Sequence, residues 1–480
     1  MNTSISHSPA RQKMILATCC LSLLVVAMDA TIVNVALPDI RRDLDASLSG
    51  LQWVIDAYTI VLASFLMLGG SSADRFGRRR VFQIGLSLFT LASLACSLAT
   101  SVGWLVAARV VQALGGSMMN PVAMSIIVHT FHDPKARARA IGVWGAVAGV
   151  SMALGPLAGG ALTQQLGWHA IFWINVPIGM LALGLTAKYV PESRAPRPRR
   201  PDPVGQALLL IGLAALAYAA IESGRGVAVA TAASLLGALA FAGLVAYELR
   251  RREPLLDPRF FHSLPFSAAT VIAVCMFAAL GGFLFLSSLY LQEVRGLSAF
   301  RAGLCILPAA LAVMIVSPLS GRLVGSHGAR PSLLVSGSTL ALSAMLLAQL
   351  QAQTPLAVLL PVYALFGVGF GMVNAPITFA AVSGMPRAQA GLASAVASTS
   401  RQIGVAAGVA LAGALTSGFM GHTSDAWSGF PQATHSFWWI LVGFGALVVV
   451  LSVLSTGARA RASTERIAHL LREPDAGAAV

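Results

Sequence analysis

The chain has 480 residues, of which 56% are hydrophobic and only 10% are charged, and it carries a net charge of +14. A soluble globular protein needs more charged side chains to cover its surface, so this composition excludes that class. Apolar runs of about 20 residues, the length that crosses a ~30 Å hydrocarbon core, recur along the whole chain. The sequence therefore predicts an all-α polytopic membrane protein.

Fourteen apolar runs are predicted to be transmembrane spans. In chain order they cover residues 14–36, 51–70, 81–100, 103–127, 140–163, 168–188, 204–222, 226–248, 266–290, 300–320, 331–350, 355–379, 391–415 and 436–456. The first run is too long for the core of a signal peptide and lacks a clear small-residue cleavage site, so we interpret it as a span.

The basic residues are unevenly distributed over the predicted loops. Of the 32 Lys and Arg residues, 25 lie at the termini and in alternate loops on one side, five lie on the other side, and Arg109 and Arg401 lie within spans. The positive-inside rule places the basic side, with both termini, in the cytoplasm. The charge is thus a topology signal and a contact with the lipid bilayer, and nucleic acid is not expected as a partner.

Polar segments divide the spans into groups of six, two and six. The predicted organisation is a cytoplasmic N-terminus (1–13), an N-terminal six-helix bundle (14–188), a linker (189–203), a two-helix insertion (204–248), a second linker (249–265), a C-terminal six-helix bundle (266–456) and a cytoplasmic tail (457–480). Four short segments of the first bundle match the second bundle in order, at offsets of 249 to 266 residues. Such paired bundles are typical of transporters with a substrate site near the membrane midplane.

Four segments of the first bundle resemble motifs of the major facilitator superfamily. They are "DATIVNVALP" (29–38), "GSSADRFGRRRV" (70–81), "RVVQALGGSMMNP" (109–121) and "GVSMALGPLAGG" (149–160). The first motif, the fourteen-span layout and "GWHAIFWINVPIG" (167–179) resemble the fourteen-span drug:proton antiporter branch, the group of EmrB and QacA. Ser72, Ala113 and Gly325 depart from the usual pattern. The resemblance implies a major facilitator fold, with two six-helix bundles plus a two-helix insertion.

Asp29, Asp56 and Arg109 are predicted to lie at similar depth in the outer half of the membrane. A charged side chain within a span costs ~2.5–3.5 kcal/mol on insertion scales, so it normally faces a cavity or a partner. Burial favours a neutral carboxyl and a nearby arginine favours a charged one, so a site between these extremes can take and release a proton. We interpret the three residues as the proton-coupling site; the resemblance also implicates the fourth-span arginine. A permanently paired structural cluster is the alternative, and Asp56 can simply be hydrated near the interface.

The loop before the third span is a candidate gate. It contains Gly70, Asp74, Arg75, Gly77 and Arg78. An acid is favourable near a helix N-terminus and a glycine permits a tight turn. The resemblance implies that this loop latches the cytoplasmic side against the other half, near the start of span thirteen. The alternative is that the loop only sets the positive-inside topology, which would explain its arginines but not Asp74 or Gly77.

Span five is rich in small residues. Gly145, Gly149, Gly155 and Gly159 recur along it, with Pro156 beside them. Small residues four apart allow helices to approach closely, and proline favours a bend. We predict a flexing surface that includes Gly149, Gly155, Pro156 and Gly159, with ordinary tight packing as the alternative. The resemblance associates "GPLAGG" with antiporters.

Polar and aromatic residues within the spans are candidates for substrate binding. They are Asn34, Trp53, Tyr58, Trp144, Phe283, Phe370 and Asn374, although aromatic residues at helical spacing more often serve packing. The role of Arg401 is open, because spans nine to fourteen contain no acid except Glu293 at an outer margin. Four kinds of partner for Arg401 stay open: backbone carbonyls, water, an acid across the cleft and an anionic substrate.

These features predict a proton-coupled antiporter of the bacterial inner membrane that exports amphipathic drugs or other small organic molecules by alternating access. A proton-coupled metabolite symporter and a transporter-like receptor or scaffold are the alternatives. No enzyme activity, cofactor or metal site is expected: the cysteines lack metal-ligand spacing, and no lysine follows glycine in a phosphate-loop pattern. The expected partners are the small-molecule substrate, protons and lipid, together with a periplasmic adaptor and an outer-membrane channel.

Overall fold

The computed structural model describes residues 8–195, 202–251, 254, 257–383, 385, 390–420, 427, 429–457, 460, 462–464 and 466. Within these ranges the regular structure is entirely helical, as predicted. Parts of the predicted termini and linkers, including residues 1–7, 196–201 and 467–480, lie outside the described residues.

The first seven helices correspond to the first six predicted spans. They are α1 (Pro9–Asp43), α2 (Leu48–Phe76), α3 (Arg78–Ser97), α4 (Val102–Thr130), α5 (Pro134–Leu166), α6 (Ala170–Trp173) and α7 (Asn175–Tyr189). Side-chain caps determine several of the starts: Ser47 accepts from the Gly50 amide at the start of α2, and Ser101 accepts from the Trp104 amide at the start of α4. Each cap satisfies a backbone donor that the helix itself leaves free.

Nine further helices follow. They are α8 (Pro203–Ile221), α9 (Val227–Glu248), α10 (Leu264–Leu289), α11 (Ala299–His327), α12 (Ala329–Leu347), α13 (Leu356–Gly371), α14 (Asn374–Val382), α15 (Ala390–Met420) and α16 (Phe430–Leu454). A π-helical turn, Tyr290–Val294, extends α10. The predicted twelfth span consists of two helices, α13 and α14, which meet at residues 372 and 373.

Twelve described helices or helix pairs are long and apolar enough to cross a membrane, and α5 is a thirteenth if its two bent halves form one span. With 31 residues, α15 is also long enough to cross, although it is not among the twelve. Counting it would give fourteen, so the predicted number is consistent with the structure and stays a prediction.

The described residues form two compact units. The first comprises the ranges Met1–Gln206 and Ser298–Leu304, and the second comprises Ala207–Leu297 and Cys305–Val480. In the first unit α1 packs along α5, while α2 and α3 both pack along α4. In the second unit the most extensive packing is between α10 and α15 and between α12 and α16. Whether the helices divide functionally as six, two and six stays a prediction.

Close approach between α1 and α5 depends on glycine at two positions. A Cβ atom at Gly159 would lie 2.7 Å from Ile32 Cγ1 and 2.9 Å from the Ile32 carbonyl oxygen, and Gly155 is similarly close to α1. In contrast, a Cβ at Gly145 or Gly149 would have no atom within 4 Å. The glycines of span five are therefore not equivalent, since only the later pair is in close contact with α1.

The hairpin of α8 and α9 packs on itself through small residues. A Cβ at Gly212 would lie 2.9 Å from Phe241 Cε2. On the other face of α9, Leu239 is 69% exposed and Leu235 and Leu236 are also exposed. An apolar exposed face of this kind fits contact with lipid acyl chains.

Candidate functional site

A buried ion pair joins the first and fourth helices. The Arg109 Nη1 atom on α4 donates a hydrogen bond to Asp29 Oδ2 on α1, and the two residues are 1% and 0% exposed. Arg109 Nε donates to the Val54 carbonyl at 3.2 Å, and the guanidinium carbon lies 4.0 Å from the centroid of the Tyr58 ring. The arginine is thus held by α1 and α2 together, through a carboxylate, a carbonyl and an aromatic face.

Three uncharged side chains complete the hydrogen bonding of this ion pair. Gln112 Nε2 donates to Asp29 Oδ1 at 2.9 Å and to Ser93 Oγ at 2.8 Å, while Gln112 Oε1 accepts from Arg109 Nη1 at 2.8 Å. Asn175 Nδ2 on α7 donates to Asp29 Oδ1 at 3.2 Å. All three side chains are buried. Asp29 therefore keeps two neutral donors that can hold its carboxylate in place when Arg109 moves away.

In this cluster the cost of burying two charges is offset by their pairing. Burial of a lone carboxylate or guanidinium is unfavourable, whereas a buried pair with all lone pairs and N–H groups engaged offsets that cost. Protonation of Asp29 would remove the charge that holds Arg109 in place. The ion pair thus joins α1 to α4 through opposite charges as well as through hydrogen bonds.

Asp56 lies apart from the cluster. Both of its carboxylate oxygens are buried, and neither has a hydrogen-bond partner in the part of the chain that the structure describes. Tyr58 on the same helix faces Arg109, and two residues along an α-helix correspond to a rotation of about 200°. The predicted three-residue site is thus a pair, Asp29 and Arg109, plus a separate buried acid.

The predicted gate is a tight turn between α2 and α3. Asp74 forms an ion pair with Arg78 at 2.9 Å, and Gly77 has a φ of 110°, which side chains with a Cβ rarely adopt. Arg75 is exposed, and its guanidinium carbon lies 5.6 Å from the centroid of the Phe76 ring. Gly70, one helical turn before Asp74, has room for a Cβ, because the nearest atom would be 3.7 Å away. The described partner of the Asp74 carboxylate therefore belongs to the same loop.

Residues 192–195, which follow α7, dock onto this turn. The Glu192 carboxylate accepts hydrogen bonds from the backbone amides of Arg79 at 3.2 Å and Arg80 at 3.3 Å. The carbonyl of Ser193 accepts from the Arg78 amide, and the Ala195 amide donates to the Asp74 carbonyl at 3.1 Å. An anion at the first amides of α3 is stabilised by the helix dipole as well as by hydrogen bonds. The start of the linker is thus part of the turn.

Four predicted substrate contacts lie in the first unit. Asn34 is buried and donates to the carbonyls of Ala30 and Thr31, but its Oδ1 atom has no partner among the described residues. Trp144 is half-buried and its Nε1 likewise lacks a described partner. Trp53 is half-buried, and Tyr58 packs on Arg109. Asn34 and Trp144 thus retain free hydrogen-bonding capacity, whereas Tyr58 belongs to the ion-pair cluster.

The remaining substrate candidates lie in the second unit. Phe283 stacks on Phe366 with ring centroids 4.1 Å apart and is 1% exposed, so it is a packing residue of the bundle. Phe370 is buried against Phe277, with centroids 4.9 Å apart. Asn374 is half-buried at the first position of α14.

Arg401 has a partner that the sequence did not indicate. Its Nη2 atom donates to the hydroxyl of Thr378 at 2.7 Å, and its guanidinium carbon lies 5.9 Å from the Phe277 ring centroid. Backbone carbonyls, one of the predicted kinds of partner, are not among its described hydrogen bonds.

Sequence reasoning missed Gln112, Ser93, Asn175 and Glu192. A usable signal existed for two of them, because Gln112 and Asn175 are amide side chains within apolar spans, where polar residues are costly and need a reason. Ser93 carried no such signal, since serine is common in membrane helices. Glu192 is one of two acids in a basic linker, and its carboxylate could be placed at α3 only from the structure.

Comparison with known proteins agrees with this architecture. A family model described as the Major Facilitator Superfamily matches residues 19–409. Among curated proteins, the multidrug resistance protein Stp of Mycobacterium tuberculosis is 39% identical over 84% of this chain and 76% of its own length. The tetracenomycin C resistance and export protein of Streptomyces glaucescens is 35% identical, covering 89% of this chain and 81% of its own. The puromycin resistance protein pur8 of Streptomyces alboniger is 38% identical, covering 82% and 80%.

Solved structures of low sequence identity share the fold. A D-xylose-proton symporter superposes with a TM-score of 0.66 at 14% identity, over 92% of this chain and 97% of that one. A bacterial homologue of the human lysosomal transporter Spinster, in an inward-facing and occupied conformation, gives a TM-score of 0.65 at 18% identity, over 96% and 99%. These likenesses establish the fold of the chain.

Proposed function

We propose that this chain, which belongs to the Major Facilitator Superfamily of membrane transporters, exports amphipathic drugs or other small organic molecules in exchange for protons. The family moves solutes across membranes without making or breaking covalent bonds in them, so the chain is not an enzyme. The proposed location is the bacterial inner membrane, with both termini in the cytoplasm. A periplasmic adaptor and an outer-membrane channel are proposed as partners.

Relatives support the export of drugs. Proteins at 35–39% identity over more than four fifths of this chain carry names that refer to multidrug resistance, tetracenomycin C resistance and export, and puromycin resistance. Because the alignments also cover at least 76% of each relative, the likeness includes most of the membrane domain rather than one shared motif.

The buried pair of Asp29 and Arg109 is the observation that supports proton coupling. The acid is paired with Arg109 and also accepts hydrogen bonds from Gln112 and Asn175. In the proposal these two amides keep the acid in place once Arg109 moves away, as a proton-driven carrier needs. In the proposed cycle a proton from outside neutralises Asp29 and frees Arg109. Release of that proton to the cytoplasm restores the pair, and the difference between the two states biases the carrier toward opposite sides. Asp56 is proposed as a second proton-binding acid.

Movement between the two states is proposed to use the gate and the flexing surface of α5. Gly70, Asp74, Arg75, Gly77 and Arg78 form the cytoplasmic gate in this proposal, and Gly149, Gly155, Pro156 and Gly159 form the flexing surface of α5. Asn34, Trp53, Trp144, Phe370 and Asn374 are proposed to contact the substrate, and Tyr58 and Phe283 to support those contacts by packing.

The proposal is tested with purified protein in lipid vesicles under an imposed pH gradient. Ethidium and puromycin serve as probes, and the direction of drug flux is compared with the direction of proton flux. We expect wild-type protein to move at least one probe against the proton flux and Asp29→Asn to abolish this coupled movement. Asp45→Asn is the matched control, because Asp45 is an exposed acid just after the same helix. Movement of drug and protons in the same direction, or full coupling in Asp29→Asn, would contradict the proposal.

A further inference from the structure

Arg401 is a cation within the second unit whose hydrogen bonds are incomplete. Its Nε atom is buried and has no hydrogen-bond partner in the described part of the chain. One bond is described for its guanidinium, from Nη2 to Thr378 Oγ1 at 2.7 Å. A guanidinium carries five N–H donors in a rigid planar fork, so most of its donor capacity is unused by these contacts.

No ion pair to a carboxylate is described for Arg401 among the residues that the structure covers. Among the described residues from α10 to α16, the acidic side chains are limited to Glu293, in the π-helical turn that ends α10. Arg401 lies ~16 Å along α15 from Ala390, at about 1.5 Å per residue, and is therefore far from either end of that helix. An arginine this deep in a span without a counter-charge is costly, and such residues normally mark a substrate or ion pathway.

The contrast with Arg109 shows what is missing at Arg401. Arg109 has a carboxylate, an amide oxygen, a backbone carbonyl and an aromatic face as partners. Arg401 has a hydroxyl and an aromatic face, with its guanidinium carbon 5.9 Å from the Phe277 ring centroid. The missing component is an anionic oxygen group.

We infer that Arg401, Thr378 and Phe277 form a subsite for the acidic oxygen group of a transported compound, such as a carboxylate or a phenolate on an aromatic ring. The fork of Arg401 would bind two oxygens of the group. Thr378 is exposed, and its hydroxyl, which donates to the Asn374 carbonyl at 3.1 Å, would turn from that carbonyl toward the same group. Phe277, which is half-buried, would pack against the apolar part of the compound, and the buried Phe370 would support it through their edge-to-face contact. This inference rests on the proposed export function and specifies the class of substrate.

A pair of probes that differ by one charge tests the subsite. Binding of 1-pyrenebutyrate and of its neutral amide is measured with purified full-length protein in nanodiscs of phosphatidylcholine. We expect wild-type protein to prefer the acid by about tenfold or more, because a charge-assisted hydrogen bond contributes more than a neutral one. In Arg401→Gln this preference should disappear, and in Arg401→Lys it should be reduced, since lysine keeps the charge but loses the planar fork.

Two further variants make the result specific. Arg466→Gln removes one positive charge from an exposed position in the C-terminal segment and should leave the preference unchanged. Thr378→Val removes only the hydroxyl and should weaken binding of the acid by a smaller factor than Arg401→Gln. If Arg401→Gln is not recovered as a monodisperse protein, Arg401→Lys and Thr378→Val carry the test.

Three results would overturn the inference. The first two are no saturable binding of the acid to wild-type protein and an unchanged preference in Arg401→Gln. The third is loss of binding of the acid in nanodiscs that contain phosphatidylglycerol, because the lipid phosphate would then occupy Arg401. The last result would assign the arginine to a lipid phosphate. The experiment is separate from the test of export, because it measures equilibrium binding without a pH gradient. Coupled drug efflux without a preference for the acid would leave the proposed function standing, and the preference without coupled efflux would leave the subsite standing.

Discussion

At the scale of single residues, Gln112 has the most connections in the buried cluster. Its side chain bonds to Asp29, Arg109 and Ser93 at once, so it holds the acid and the base at a set separation. The carboxylate has a second neutral donor in Asn175, at the longer distance of 3.2 Å. Gln112 is therefore expected to act as a positioning residue, with Asn175 as a weaker support.

We expect Gln112→Met to reduce coupled transport by about tenfold while leaving the pair of Asp29 and Arg109 able to form, since a hydrogen bond to a charged group contributes about 1.5–3 kcal/mol. Methionine has a similar volume, so the change removes polar contacts without leaving a large cavity. Drug and proton fluxes in vesicles are measured together. Asn175→Leu should have a smaller effect, and a larger loss in Asn175→Leu than in Gln112→Met would show that this ranking is wrong.

At the scale of one turn, Gly77 is required for two independent reasons. Its φ of 110° disfavours any side chain with a Cβ, and a Cβ there would also lie 2.6 Å from Glu192 Cδ. Gly77→Ala is expected to destabilise the turn by about 1–3 kcal/mol through backbone strain and to displace Glu192 from the N-terminus of α3. Gly70→Ala is the matched control, because the new methyl group would meet its nearest atom at 3.7 Å.

Two measurements on the variants check these effects. Thermal unfolding in detergent measures the loss of stability. Labelling of the folded protein at a cysteine introduced at Ser193 measures the displacement of Glu192. Displacement of Glu192 should expose that cysteine in Gly77→Ala and leave it unchanged in Gly70→Ala. Equal stability and equal labelling in the two variants would mean that neither the φ value nor the contact with Glu192 matters for the turn.

At the scale of a helix pair, the contact between α1 and α5 can be tested by adding one methyl group. Gly159→Ala should destabilise the protein by about 1–3 kcal/mol, because the new Cβ would overlap Ile32 and force the helices apart. Gly149→Ala should be neutral or stabilising by up to ~1 kcal/mol, since its Cβ points into open space and alanine is the better helix former. Unfolding midpoints of both purified variants check the difference, and a Gly149→Ala variant as unstable as Gly159→Ala would contradict it.

At the scale of the whole molecule, the hairpin of α8 and α9 is expected to space the bundles rather than to line the substrate path. Its exposed leucines and its self-packing through Gly212 support this role. Cysteines introduced along α9 should react with a membrane-permeant thiol reagent equally with and without bound drug. Cysteines in α1 and α4 should be protected by the drug. Protection along α9 alone would place the hairpin in the substrate site.

The sequence by itself determined the class of protein, the helical architecture and the family, and comparison confirmed all three. The physical reason is that a span is specified locally: about 20 apolar residues in a row must form a helix to satisfy their backbone in lipid. The motifs around Asp29 and Arg109 drew attention to two residues that form an ion pair in the first unit, and their role in proton coupling stays a prediction.

Only the tertiary structure decided which polar groups meet. Asp56 is at a similar predicted depth to Asp29, yet it lies on another face of its helix, and the depth of a residue does not reveal that face. The partners of Asp29 come from α4 and α7, and Ser93 of α3 accepts a hydrogen bond from one of them, Gln112. The anion at the start of α3 comes from a linker more than a hundred residues away in the chain. Helix packing determines which polar groups form hydrogen bonds, because a polar side chain in a membrane bonds to the groups that the packing brings within reach. That packing depends on small residues at particular contacts, such as Gly159.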